Sequence, residues 1–168
     1  MMSRPTLYAW TTMVVLLAVD QLVKIWVRVE IPMFQSTGLI PNLIDLTHVE
    51  NRGVSFSFLA DLNDSMRVPI LVGISLVAIG LIGAFWWSNR TRFNFFANLA
   101  FVLILPGAIG NLIDRAIYGT VTDYFHFRFY STSFFVNNLA DIYISLGVVA
   151  YVIGILREGS DKRATSPK

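Results

Sequence analysis

Two short stretches place a carboxylate where it could do chemistry. They are VTDY at 121–124, with Asp123, and NNLAD at 137–141, with Asp141. A third, GAIGNLIDR at 107–115, sets Asn111, Asp114 and Arg115 at the end of a run apolar enough to cross a bilayer. Two carboxylates that share one proton supply a base and an acid in one site, because like charges at close range cannot both ionise cheaply. The ionised member takes a proton from water, and the protonated member donates to a carbonyl oxygen or a leaving amine. Such a dyad titrates as a unit. Plainer readings stand beside this one. Asn138 can be a helix N-cap, which makes Asp141 the third helical residue and a capping-box partner. Asp123 can be an ordinary loop carboxylate. Their convergence at one membrane depth, 18 positions apart, favours the pair.

Other hydrolytic chemistries lack parts. The chain has no cysteine, no HExxH motif and no serine in a convincing motif with a base. His48 and His126 read as isolated loop residues with interfacial or hydrogen-bonding roles. No metal, cofactor or nucleic acid is implied.

The elements that must position these groups belong to a membrane protein. Of 168 residues, 55% are hydrophobic and 14% charged, and the mean hydropathy is +0.60, too apolar for a soluble domain of this size. Four segments reach the ~20 residues that a bilayer requires: 7–27, 68–87, 95–117 and 139–156. Pro69 fits the first turn of the second. The first resembles a signal-peptide core behind Arg4, but the chain runs on as DQLVKIWV with no small-residue cleavage site, so it reads as a retained helix. Residues 1–168 are expected to form a single domain with a basic tail over 157–168.

Charge sets the orientation. Arg4, loop 88–94 and the tail from 157 together carry +5, against −2 for loop 28–67 and 0 for loop 118–138. The positive-inside rule therefore puts both termini in the cytoplasm and the two long loops outside. At 1.5 Å per residue, Asp20 then lies about 20 Å along the first helix and Asp114 about 28 Å along the third. The ionisable residues Asp20, Lys24, Asp114, Arg115 and Asp141 all fall in the outer leaflet or at its rim. Groups so costly in hydrocarbon normally face a bundle interior or a wet cavity. Asp20 and Lys24, four apart, share one helix face, which suits an ion pair that holds helices together. Asn111, Asp114 and Arg115 suit interhelical polar contacts, and Gly107, Ala108 and Gly110 would let a second backbone approach. In the outer loops LIDLTHV reads as a strand. VSFSFLADL reads as an interfacial helix with Phe56, Phe58 and Leu59 toward lipid. YFHFRFY alternates with period two, as a strand anchored at the interface does.

Five blocks, in order and at these spacings, resemble the lipoprotein signal peptidases (signal peptidase II). They are DQLVK (20–24), NRGVSFSF (51–58), GAIGNLIDR (107–115), VTDY (121–124) and NNLAD (137–141). The resemblance implies an all-α membrane protein of four transmembrane helices, with a small outer β/loop region and a short interfacial helix. It implies an aspartyl endopeptidase of the bacterial cytoplasmic membrane that acts, as a monomer at the outer face, on diacylglyceryl-modified prolipoproteins. Cleavage falls just before the lipidated cysteine, and the cyclic peptide globomycin blocks it. Asp123 and Asp141 match the catalytic pair. Asn51, Gly53, Asp20, Lys24, Asn111, Asp114, Arg115, Asn138 and Ala140 match the residues that support or line the site. The sequence departs from the family pattern at Pro106, Asn137, Val54, Ser55 and Ile142. The other readings to weigh are a small proton-coupled transporter and a non-catalytic lipoprotein-binding paralogue.

Overall fold

The computed structural model describes residues 4–53 and 62–164. Phe56, Phe58 and Leu59 of the expected interfacial helix, and the departures Val54 and Ser55, lie outside those residues. Helix α1 spans Arg4–Glu30 and leads into the hairpin β1 (Ser36–Ile40) and β2 (Ile44–Asn51). Helices α2 (Asp64–Asn89) and α3 (Phe95–Tyr118) follow, then the hairpin β3 (Val121–Phe129) and β4 (Thr132–Asn137), and finally α4 (Leu139–Ala164). The strands form one antiparallel sheet in the order β1-β2-β3-β4. The protein is thus mostly helical, with a small sheet joined to one end of the bundle.

Capping explains where the helices start. Asn63 caps α2 by accepting from the Met66 amide at 3.2 Å, and Asp64 adds an acidic group to the first turn. This start lies four residues before the apolar run, so Pro69 sits in the second turn rather than the first. Asn94 caps α3 through the Ala97 amide at 2.9 Å. Gly119, with φ of 75°, ends α3 by donating to the Arg115 carbonyl. Helix α4 also outlasts its apolar stretch, so the basic tail continues as helix to Ala164.

Among the described residues, three helices are long and apolar enough to cross a membrane: α2, α3 and residues Leu139–Gly159 of α4. The expected fourth span, α1, is not among these three.

Helix α3 is the central element. Met13 of α1, Trp86 of α2, and Phe101, Val102 and Leu105 of α3 form a buried apolar cluster. On the other side, α3 and α4 run antiparallel in close contact over small residues. A Cβ added at Gly147 would fall 2.8 Å from the Ala100 carbonyl oxygen, and one at Gly107 would fall 2.5 Å from that of Ala140. Since Ala140 precedes Asp141, Gly107→Ala must push back the start of α4. The expected result is a loss of about 1–3 kcal/mol with a disproportionate loss of activity, read from paired melting and turnover assays. A variant at wild-type stability and rate would contradict this packing.

Candidate active site

The site is assembled where the sheet meets the start of α4. Asp123, the third residue of β3, is only 2% exposed. One carboxylate oxygen accepts from Asn51 Nδ2 at 2.9 Å and the other from Asn138 Nδ2 at 2.6 Å. Asn51 pairs with Val121 across the β2–β3 ladder, so it reaches Asp123 diagonally on the same face. Its own amide oxygen accepts from the Gly53 N–H at 2.8 Å. Gly53 has φ of 76°, and an added Cβ would lie 2.9 Å from Leu71; only glycine suits that turn.

Asn138 joins the two carboxylates. While its side-chain nitrogen donates to Asp123, its oxygen accepts from the Asp141 backbone N–H at 3.0 Å, and its own backbone N–H faces Asp141 Oδ2 at 3.4 Å. This is the reciprocal capping box anticipated from NNLAD. Asp141 also accepts from Asn111 Nδ2 at 2.8 Å.

The other free donors in the first turn of α4 are satisfied from elsewhere. Leu139 N–H donates to the Tyr124 hydroxyl at 3.1 Å, and Ala140 N–H donates to Asp20 Oδ1 at 3.0 Å. A strand, a distant helix and the cap residue therefore fix the three amides at the start of α4, Asp141 included.

Behind the carboxylates lies a buried ionic core. Lys24 contacts Asp20 at 3.0 Å, Asp114 at 3.1 Å and Asn111 Oδ1 at 2.9 Å. The side chains of Lys24, Asp20 and Asp114 are all 0% exposed. Gly110 admits this arrangement, because a Cβ there would collide with the Asp20 carboxylate. Asp114 in turn accepts from the Thr122 N–H at 3.2 Å, one residue before Asp123. Arg115, its neighbour, points elsewhere: Nη1 lies 3.5 Å from the Asn111 carbonyl, and its charge acts on Asp141 and Asp123.

Sequence reasoning passed over three contributors. Arg28 closes the ionic core on Asp114 at 3.0 Å. Tyr124 is fully buried. Glu50 accepts from Thr120 and Thr122 and lies 3.0 Å from His48 Nε2, gripping β3 on the face opposite Asp123. Burial alone would raise the Glu50 carboxyl, but these donors and the Arg28 charge outweigh it and hold it below the usual range. Period-two alternation along β2 and β3 was the available signal for Glu50 and Tyr124. His48 and His126 lie on β2 and β3, the strands expected from LIDLTHV and YFHFRFY within the outer loops. His48 bonds the Ile31 carbonyl and Glu50, and His126 bonds Ser133.

Burial pushes the Asp123 carboxyl up to about 6; donation from Asn51 opposes the rise, and the nearby charge of Asp141 adds to it. Asp123 can therefore hold or release a proton near neutral pH, beside a second carboxylate tied to the same asparagine. Such an arrangement can activate water and protonate a leaving group.

The chain has relatives among known proteins. A family model described as "Signal peptidase (SPase) II" matches residues 12–157. A lipoprotein signal peptidase of Streptococcus pneumoniae is 37% identical over 144 residues, covering 85% of this chain and 88% of the relative. One from Gloeobacter violaceus is 35% identical over 167 residues, covering 99% and 90%. A solved structure titled as a bacterial membrane enzyme, determined by the in meso method at 1.9 Å resolution, superposes with a TM-score of 0.78. It is 23% identical and covers 89% of this chain and 92% of its own, a likeness of fold.

Proposed function

The chain belongs to the signal peptidase II family, and we propose that it cleaves lipoprotein signal peptides with Asp123 and Asp141 as an acid–base pair. It is a protease, and its substrate is a prolipoprotein. The observation that carries the aspartyl reading is Asn138, which donates to Asp123 while it caps the turn that holds Asp141.

A water between the two carboxylates gives up a proton to the ionised one and attacks the scissile carbonyl, forming a gem-diol. The gem-diol forms as the protonated carboxyl donates its proton to the carbonyl oxygen. The carboxyl protonated by the water then donates to the leaving amine, the other recovers a proton from the gem-diol, and the C–N bond breaks to leave a carboxylic acid. The substrate enters as an apolar helix among the spans and unwinds at the rim, because helical hydrogen bonds otherwise shield the carbonyl. Asn111, Asp114, Lys24 and Asp20 do not react in this account. They hold the backbone on either side of the pair.

Helix α1 serves as a fourth span. Its polar Asp20 and Lys24 are turned fully inward, whereas Val14, Val15, Leu22 and Ile25 are exposed, as a lipid-facing surface requires. The positive-inside rule then sets the termini in the cytoplasm and the sheet with its carboxylates at the outer face of the inner membrane.

The reading is tested by incubating the purified protein with a diacylglyceryl-modified prolipoprotein and with the same precursor lacking the lipid. The expected product is a mature chain beginning at the lipidated cysteine, from the modified precursor alone. Cleavage of both precursors, or at another bond, would contradict it.

A further inference from the structure

The end of the bundle remote from the sheet contains a cavity that the peptidase reaction does not use. It has a volume of about 590 Å³ and lies where α1 begins, α2 ends and α3 begins. Arg90, Thr91, Thr6 and Asn98 contribute polar groups at the helix ends, while Ala9, Leu99 and Val102 form apolar wall deeper in. No acidic side chain lines it among the described residues. Arg90 stacks on the Trp87 ring at 3.5 Å and donates to the Trp87 carbonyl, without a carboxylate partner among the described residues. Its Nε is shielded from solvent and has no hydrogen-bond partner among the described residues.

A second, separate cavity of about 280 Å³ lies between the same three helices. Met13 and Leu17 of α1, Ile79 of α2, and Leu105 and Ile109 of α3 line it, and its wall is apolar. Trp86 borders the first cavity and Trp10 the second, and the two rings meet edge-to-face at 5.8 Å. From Leu99 to Ile109 the track along α3 is about 15 Å long. A basic, hydroxyl-bearing mouth at the helix ends, in line with an apolar cavity further along the same helices, matches the polarity of an amphiphile.

We propose that this groove holds an anionic phospholipid of the membrane. Its phosphate faces Arg90, and one acyl chain runs past the Trp10–Trp86 pair into the second cavity. A guanidinium suits a phosphate in geometry and charge, and basic pockets between membrane helices collect acidic head groups. The basic leading segment of a signal peptide is the wrong occupant, because its positive charge would meet Arg90. The chemistry of Asp123 and Asp141 plays no part in this inference.

The test uses the full chain, stripped of lipid in a neutral detergent and titrated with phosphatidylglycerol or phosphatidylcholine of matched chains, with bound lipid counted by native mass spectrometry. Phosphatidylglycerol is expected to bind at least about tenfold more tightly, a difference one good charge-assisted contact supplies. Arg90→Gln should abolish that preference. Arg92→Gln removes the same charge two residues away, outside the cavity lining, and should keep it. Thr12→Phe, which fills the groove from α1 without touching Arg90, should weaken both lipids. Equal binding of the two lipids to the wild type would overturn the proposal. So would equal losses in the Arg90 and Arg92 variants, or wild-type binding by the Thr12 variant. Because bound lipid is counted directly, an absence of peptidase activity would leave this result unaffected.

Discussion

Replacing Lys24 by methionine is expected to cost the fold about 3–5 kcal/mol, the usual price of removing one member of a buried ion pair. For a chain of this length that corresponds to a fall in Tm on the order of 10 °C. Methionine fills similar volume, so the effect isolates the charge. Lys24 faces Asp20 and Asp114 within 3.1 Å, all three out of contact with solvent. Without the ammonium, Asp114 keeps Arg28, but Asp20 keeps no cation among the described residues. Asp20 must then take up a proton or draw in water, and either change weakens its hold on the Ala140 amide beside Asp141. Activity should therefore fall further than stability does at temperatures below the transition. The double variant Lys24→Met with Asp20→Asn removes the stranded charge and should recover part of the lost Tm, because an unpaired ion costs more than an absent pair. A double variant no more stable than Lys24→Met alone would contradict this account of the core.

The second large effect is at the carboxylates themselves. Asp123→Asn and Asp141→Asn each retain shape and remove the titrating proton, and each should lower kcat by about 10²–10⁴ or more. The wild type should show a bell-shaped dependence of kcat/KM on pH whose two limbs belong to the pair. The acid limb marks loss of the base as both carboxyls protonate. The alkaline limb marks loss of the acid, and burial of Asp123 places it near 6 in the free protein. The sign of the stability effect follows from the same shift. A carboxyl raised in the folded state binds its proton more tightly there than in the unfolded chain, so its contribution to folding is present below about 4 and is lost as pH rises toward 6. Wild type should thus lose stability relative to Asp123→Asn across that window. This ionisable group is better suited to reaction than to folding.

Much of this architecture was legible because local rules and tertiary structure agree. NNLAD reads as a capping box and forms one. LIDLTHV reads as a short strand and YFHFRFY alternates as a strand does, and β2 and β3 form there. Asp20 and Lys24, four apart, do pair, and Gly107 does admit a second backbone. What escaped notice was written in partners rather than in the segments themselves. Strand β1 is STGLI, exposed at every residue, and it owes its conformation to the β2 ladder rather than to an apolar face. Arg28 lies past the apolar run and reads as a loop charge until α3 brings Asp114 to it. Helix limits taken from hydropathy stopped where the hydrocarbon preference stopped, although caps and polar turns carry α2 and α4 further. Donors to Asp123 come from β2 and from the start of α4, and only the folded chain brings them to one carboxylate.

The most direct test of the acid–base pair is cleavage of a diacylglyceryl-modified prolipoprotein by wild type, Asp123→Asn and Asp141→Asn, compared at matched folding and at pH 5 to 8. The account predicts a wild type that cuts before the lipidated cysteine and two variants that are silent throughout that range. If either variant cuts at the wild-type rate at any pH in it, Asp123 and Asp141 are not the pair that moves the protons.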